Sequence, residues 1–292
     1  METFSKASGW DLDMRQISQG DIGIDFKFVG NPNISILKVG FDQAVHQRGI
    51  APRGALTFGV PLDGVLDWYG GNAEQAAMMN FNHESGFDTV SIPGFSAFTF
   101  SLAGDFFESA ARSLGVSIPD HVFKPPSGSI FRKTESSGVV RKILIDLLDA
   151  RTRHLDTEFE SDLVSGVLNM ALESSGHADT APLFARSRVV RSAINFIEDN
   201  RHEPVTVKEI CESTGTSVRT LDRAFKDRFG IGPKAYIKRR RLIGVRQALL
   251  RQRNVNLISD LANEWGFWHM GQFARDYRNL FGELPSETLI RR

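Results

Sequence analysis

Over the last hundred or so residues, apolar positions recur three and four apart and break twice at a glycine. In 207–230, Ile210, Leu221, Phe225 and Phe229 flank a break at Thr214 and Gly215; in 258–282, Leu261, Trp265, Phe273, Tyr277 and Phe281 flank Gly266. That spacing predicts two helices in each copy, packed along an apolar seam. The glycine suits the left-handed backbone of a tight turn, and Ser217 is placed to cap the helix that follows, its hydroxyl accepting an unpaired backbone N–H. Each copy ends in Phe-Gly with a proline soon after, Pro233 and Pro285, which reads as a helix stop followed by a helix start. Between the copies, 233–251 reads as one basic helix, about 28 Å long at 1.5 Å per residue.

Upstream the period changes. From about 17 to 100, short runs such as 22–28, 34–39, 55–60 and 95–102 are separated by Gly, Pro and Asn, predicting strands of an antiparallel sheet or barrel. Beyond them, 105–114, 137–155 and 157–174 return to helical spacing. Val140, Ile143, Leu144, Leu147 and Leu148 can face Leu163, Val167, Leu168, Ala171 and Leu172 in an antiparallel hairpin. The fold class is therefore α+β. A domain over 1–174 carries the sheet (about 17–100) and helices (about 105–174), 175–186 is a small and polar linker, and 187–292 is an all-α domain.

Charge sharpens this division. The chain is neutral overall, but 186–292 holds 21 Lys and Arg against 12 Asp and Glu, a net +9, while 1–185 holds 14 against 23, a net −9. A basic module joined to an acidic one fits a nucleic-acid reader carried by a regulatory partner. The single cysteine, Cys211, cannot form an internal disulfide and falls on the inward side of a helix, as a buried core residue does. No basic stretch leads into an apolar one at the N-terminus, and no apolar run approaches the roughly twenty residues that span a bilayer, so a cytoplasmic protein is expected.

The motifs Ser217-x-Arg-x-Leu-x-Arg-x-Phe225, Gly232-Pro-x-x-Tyr-x-x-x-x-Arg241, Ile258-x-x-Leu-Ala262, Trp265-Gly-Phe267, Phe273-x-x-x-Tyr-x-x-x-Phe-Gly282 and Pro285-Ser286 together resemble the AraC/XylS family of transcription regulators over about 186–292. The stretch 266–286 is similar to the subgroup that includes ethanolamine-operon regulators. Cys211 and Val245 stand where the family usually has alanine, and Tyr277 where phenylalanine is commoner.

The resemblance implies a sequence-specific, effector-responsive activator that inserts two recognition helices into successive major-groove segments of double-stranded promoter DNA. RNA polymerase is its implied partner, and the helical hairpin would make it a homodimer or simply pack on the sheet. The family's base-facing positions fall on Arg219, Thr220, Asp222 and Arg223 in the first copy and on His269, Met270, Gln272 and Arg275 in the second. Arginine can donate twice to guanine, glutamine can pair with adenine, and methionine offers apolar contact to a thymine methyl; each arginine equally suits a phosphate. Asp222 can accept from a cytosine amino group or orient a neighbouring arginine. Lys226, Lys234, Lys238 and Arg239 are the phosphate candidates, since the family's equivalent of Arg241 is largely structural.

The resemblance also suggests a cupin-like sensory barrel at the N-terminus. Metal-dependent cupins need a His-x-His pair with a further carboxylate and histidine, and His46 and His83 are isolated, so neither metal nor cofactor is expected. Aromatic residues can wall an effector pocket, with Phe26, Phe58, Trp68 and Phe98 as candidates; phenylalanines at period two serve equally well as core. A regulator controlled by dimerisation or a protein partner, with no small-molecule ligand, is the alternative. Two enzymatic alternatives are weaker. A fused alkyl-transferring DNA repair enzyme needs a nucleophilic cysteine beside a zinc site, and the one cysteine lies inside the first helix-turn-helix. A cupin-type enzyme lacks any clustered acid/base pair, so no catalytic residue is assigned.

Overall fold

The computed structural model describes residues 9–64, 66–72, 76–84, 86–149, 155–173, 179–180, 186–200, 203–251 and 257–291. The chain divides into two compact units: the first is 1–14, 24–42 and 47–183, the second 15–23, 43–46 and 184–292.

The first unit is built on two antiparallel sheets. One has the order β1 (Asp11–Gln16), β4 (Val45–Ile50), β9 (Phe87–Ser91), β6 (Leu66–Trp68), β7 (Gly71–Asn72). The other runs β12 (Asp179–Thr180), β11 (Ser129–Arg132), β8 (Ala76–Phe81), β5 (Ala55–Asp63), β10 (Phe95–Ala103), β3 (Ile34–Phe41), β2 (Ile24–Gly30). Strand β10 is the hub, pairing Phe100 with Phe58 on one side and with Ile36 on the other. Side chains alternate across a sheet, so the larger sheet has two distinct faces. Ile34, Ile36, Phe58, Val60, Phe98, Phe100 and Leu102 form one core with α1 (Gly104–Ser113), α3 (Glu135–Asp149) and α4 (Thr157–Glu173). Leu37, Val39, Phe41, Ala97 and Thr99 turn the other way and line a cavity.

Three features depart from the sequence reading. The sheet begins at Asp11 rather than near 17, because the acidic positions of β1 obscure an alternation that sends Leu12 and Met14 to the cavity. The region read as purely helical contains a short α2 (Asp120–Phe123) and strand β11, which extends the larger sheet beside β8. Helix α3 begins at Glu135, two residues ahead of 137, and 150–154 of the expected helix lie outside the described residues. Of the expected linker, 175–178 and 181–185 lie outside the described residues, and Asp179–Thr180 pairs with β11. Most of the hairpin's stripe packs on the sheet: Val140, Leu144, Leu163, Val167, Leu168 and Ala171 are all in the core shared with Phe58 and Phe100, whereas Leu172 is exposed.

In the second unit, α5 (Ser187–Asp199) supports a first helix pair, α6 (Val207–Thr214) and α7 (Val218–Phe229). Helix α8 (Pro233–Arg251) leads to a second pair, α9 (Ile258–Glu264) and α10 (Met270–Phe281), closed by α11 (Pro285–Ile290). Local chemistry follows the sequence. Thr206 and Glu209 form a reciprocal capping box on α6, and Ser217 accepts from the Thr220 amide at the start of α7. Gly230 and Gly282 end α7 and α10 in the left-handed conformation, at φ 69° and 74°. Cys211 is buried, and that burial pushes its thiol pKa up, assisted by the Glu212 charge.

Glycine inside α8 has a packing reason. A Cβ on Gly244 would sit 2.2 Å from two ring atoms of Trp265, so the missing side chain is what lets that indole lie against the helix. Gly→Ala inside a helix ordinarily stabilises by about 1 kcal/mol, whereas overpacking costs about 1–3 kcal/mol. At 2.2 Å from a ring the clash wins. Gly244→Ala is expected to lower the midpoint of thermal unfolding; a rise would show that Trp265 moves aside freely.

Candidate nucleic-acid interface and effector cavity

The two helix-turn-helix units share α8. Near its start Tyr236 packs its ring on Phe225 and Phe229 of α7, and further along Leu242, Val245 and Leu249 join Leu261, Phe273, Tyr277 and Phe281 in the core of the second unit. Hydrogen bonds and ion pairs reinforce this. Lys238 Nζ of α8 is 2.9 Å from Asp276 Oδ1 of α10, and Arg241 donates to the Val205 carbonyl at 3.4 Å. Arg246 pairs with Glu283 at 3.0 Å, and Glu283 also accepts from Thr288, whose hydroxyl lies 2.8 Å from Tyr277 Oη. That network gives the tyrosine at 277 a role phenylalanine could not fill. Burial, only partly opposed by the Thr288 hydrogen bond, pushes its pKa up to about 12.

Arg219 and Arg223 lie one turn apart on the exposed side of α7, and among the described residues no ion pair engages either. Thr220 is half-buried, its hydroxyl 2.9 Å from Ser217 at the cap. Asp222 is paired with Lys226 at 2.8 Å. A Cβ on Gly232 would lie 2.6 Å from Asp222 Oδ1, so that glycine makes room for the carboxylate. In the second unit, His269 is the residue preceding α10, and Gln272 and Arg275 are exposed on the helix. Met270 is only partly exposed because it packs on the second core.

Of the phosphate candidates, Lys226, Lys234 and Lys238 line one cleft of 1030 Å³, together with Asp222, Asp276 and Arg241. Lys226 and Lys238 are already neutralised locally by Asp222 and Asp276. Arg239 is half-buried, which lowers its pKa by desolvation, and it does not line the cleft.

The residue that sequence reasoning missed is Trp268. It is 74% exposed in the turn just before α10, whereas Trp10 and Trp68 are buried. The signal was present: Gly266 at φ 79° ends the helical register, so Trp268 is released from the seam that holds Trp265.

His46, isolated in sequence, is fully buried in the second unit with Nδ1 2.9 Å from Tyr236 Oη and its ring against Phe229. Among the described residues no group of His, Cys, Asp and Glu is arranged to hold a metal ion, and no helix is long and apolar enough to cross a membrane.

The four effector candidates separate. Phe26 and Trp68 line a cavity of 340 Å³ in the first unit. Phe58 and Phe98 do not: they lie on the opposite face of their strands and are sealed in the helix-packed core. The alternation decides it, since Gly59, Ala97 and Thr99, their strand neighbours, are the residues at the cavity.

A family profile described as "Helix-turn-helix domain" matches residues 210–291. The "XylDLEGF operon transcriptional activator 3" of Pseudomonas putida is 40% identical over 100 residues, covering 34% of this chain and 30% of the relative. "XylDLEGF operon transcriptional activator 2" of the same organism is 34% identical over 123 residues, covering 42% of this chain and 74% of the relative. Among solved structures, "a probable AraC family transcriptional regulator" from Rhodopseudomonas palustris CGA009 is 39% identical, covering 35% of this chain and 95% of its own, with a TM-score of 0.34. Several of these likenesses are partial: the chain spans 30% of activator 3 and 41% of a "Probable thc operon regulatory protein" of Rhodococcus erythropolis.

Proposed function

The chain belongs to the AraC/XylS family of DNA-binding transcription regulators, and from that premise we propose that it activates transcription by setting α7 and α10 into successive major-groove segments of promoter DNA. The observation that carries this reading is α8, nineteen residues of continuous helix whose side chains enter the cores of both helix-turn-helix units. A rod of about 28 Å, with the offsets of the two recognition helices added, suits the roughly 34 Å of one DNA turn.

In this reading Arg219, Arg223 and Arg275 donate to guanine edges, Gln272 pairs with adenine, and Met270 and His269 face neighbouring bases. Thr220 and Asp222 act locally: the first completes the helix cap, the second holds Lys226. Lys226, Lys234 and Lys238 meet the phosphate backbone along their common cleft, and Arg239 is a weaker contributor. RNA polymerase is the partner of an activator, the assembly is a homodimer, and the cavity of the first unit receives a small-molecule effector. The chain works without catalytic residues or a cofactor.

Trp268 supplies a direct test. In the full-length protein, binding to operator DNA is expected to shield Trp268 from iodide quenching, an effect that disappears in Trp268→Phe. The affinity itself should fall steeply as salt rises, because phosphate contacts release counterions. Affinity indifferent to salt, or unchanged quenching on saturation with DNA, would contradict this use of the surface.

A further inference from the structure

The cavity of the first unit is unusual for what its wall omits. Among the described residues, no Asp, Glu, Lys, Arg or His lines it. Its polar side chains are Gln47, Thr89 and Thr99, and the Thr89 hydroxyl is already committed to the Asp67 carbonyl at 2.6 Å. No hydrogen bond within the described residues engages the Gln47 amide or the Thr99 hydroxyl, which leaves the wall two donor-and-acceptor groups. Four of its seven aromatic rings pack against one another. Phe81 meets Trp10, Trp68 and Phe87 edge to face at 5.3, 4.9 and 5.1 Å, so the rings are turned toward one another. Small residues make the room: Gly59, Ala97 and Thr99 stand where larger side chains would fill 340 Å³, near the lower end of the roughly 300–1,000 Å³ typical of small-molecule sites. Ile24 and Phe26, on the outermost strand β2, line the cavity while 46% and 45% exposed, an apolar rim that a ligand would cover.

We propose that this cavity binds an electrically neutral, largely apolar molecule of one or two rings, oriented by amide- or hydroxyl-type hydrogen bonds to Gln47 and Thr99, and that it discriminates against carboxylates and ammonium ions. Burying an unpaired charge against such a wall is strongly unfavourable, whereas apolar surface gains by leaving water. The inference rests on the effector-responsive reading above and names its ligand class. Chain connectivity gives occupancy a route to DNA binding: Met14, Ile24 and Gln47 line the cavity, and Arg15, Gly23 and His46, each one peptide bond away, belong to the second unit.

The test uses isosteric probes on the full-length protein: 2-naphthamide, 2-naphthoate and 2-naphthylmethylammonium, with benzamide and benzoate as the single-ring pair. Calorimetric titration at neutral pH is expected to show a neutral probe binding at least about tenfold more tightly than its charged counterparts. Gln47→Leu should weaken the amide while leaving plain naphthalene unaffected, and Ala97→Leu should abolish binding by filling the space. If the Ala97 variant does not fold, the Gln47 comparison still decides. Tighter binding of the carboxylate or the ammonium ion, or no binding of any probe at millimolar concentration, overturns the proposal. Operator affinity measured with and without the bound neutral probe tests the other reading separately. Neutral binding with no change in DNA affinity would leave the ligand class standing and remove effector response.

Discussion

Replacing Glu198 with alanine is expected to destabilise the second unit by about 3–5 kcal/mol, the cost of stranding buried charge when one partner of a buried ion pair is removed. Glu198, on α5, is a carboxylate with a side chain 20% exposed that receives the guanidinium of Arg15 and, at 3.0 Å, that of Arg240; those two are 9% and 10% exposed. Burial by itself would raise the Glu198 pKa, but the hydrogen bonds from Arg240 and Arg15 and their charges outweigh it and bring the group down to about 2. A carboxyl depressed from 4.5 stabilises the folded state fully above about pH 4.5 and loses that contribution as pH falls toward 2. At 1.36 kcal/mol per unit the loss is about 3 kcal/mol. Urea unfolding of wild type, Glu198→Ala and Glu198→Gln at pH 7 and pH 3 checks both statements: the wild type should lose stability over that interval, and both variants should start lower and lose less. A wild-type stability that is flat from pH 5 to 3, or an alanine variant within 1 kcal/mol of wild type, would contradict the account.

The second large effect concerns recognition. Alanine at both Arg219 and Arg223 is expected to weaken operator binding by about 2–4 kcal/mol, with Arg275→Ala costing about 1–3 kcal/mol on the other half of the site. Both α7 positions are exposed, so thermal stability should stay within about 0.5 kcal/mol of wild type. Lys234→Ala makes the contrasting case: removing a phosphate-binding cation lowers affinity for operator and random DNA alike and reduces the salt slope by about one. Fluorescence anisotropy on operator and scrambled duplexes separates the two behaviours. If the double arginine variant lost affinity equally for both, the arginines would be backbone clamps rather than base readers.

Much of the second unit was legible because its determinants are local. Ser217, Gly230, Gly282, Pro233 and Pro285 each act within four residues of themselves, and the apolar seam repeats at helical period. What escaped depended on neighbours distant in sequence. Gly244 reads as a weak point in a helix until Trp265 is found against it. Asp222 looks like a misplaced charge on a basic helix until the space above Gly232, ten residues on, accounts for its carboxylate. In the first unit the alternation revealed that strands were present but not which face met the helices, and so Phe58 and Phe98 were grouped with Phe26 and Trp68. Strand β11 was hidden by its position after α1 and α2, since a four-residue strand carries little periodicity.

In the proposed mode of binding, one chain reads two groove segments through one rod. Selection of bound genomic fragments by the full-length protein, followed by hydroxyl-radical footprinting of the enriched site, tests it most directly. The expected result is a bipartite motif with its two elements about 10–10.5 base pairs apart and both protected on one face of the duplex; in Arg275→Ala the second element alone should lose its sequence preference. A single contiguous element, or two elements whose spacing varies freely among bound fragments, would contradict it.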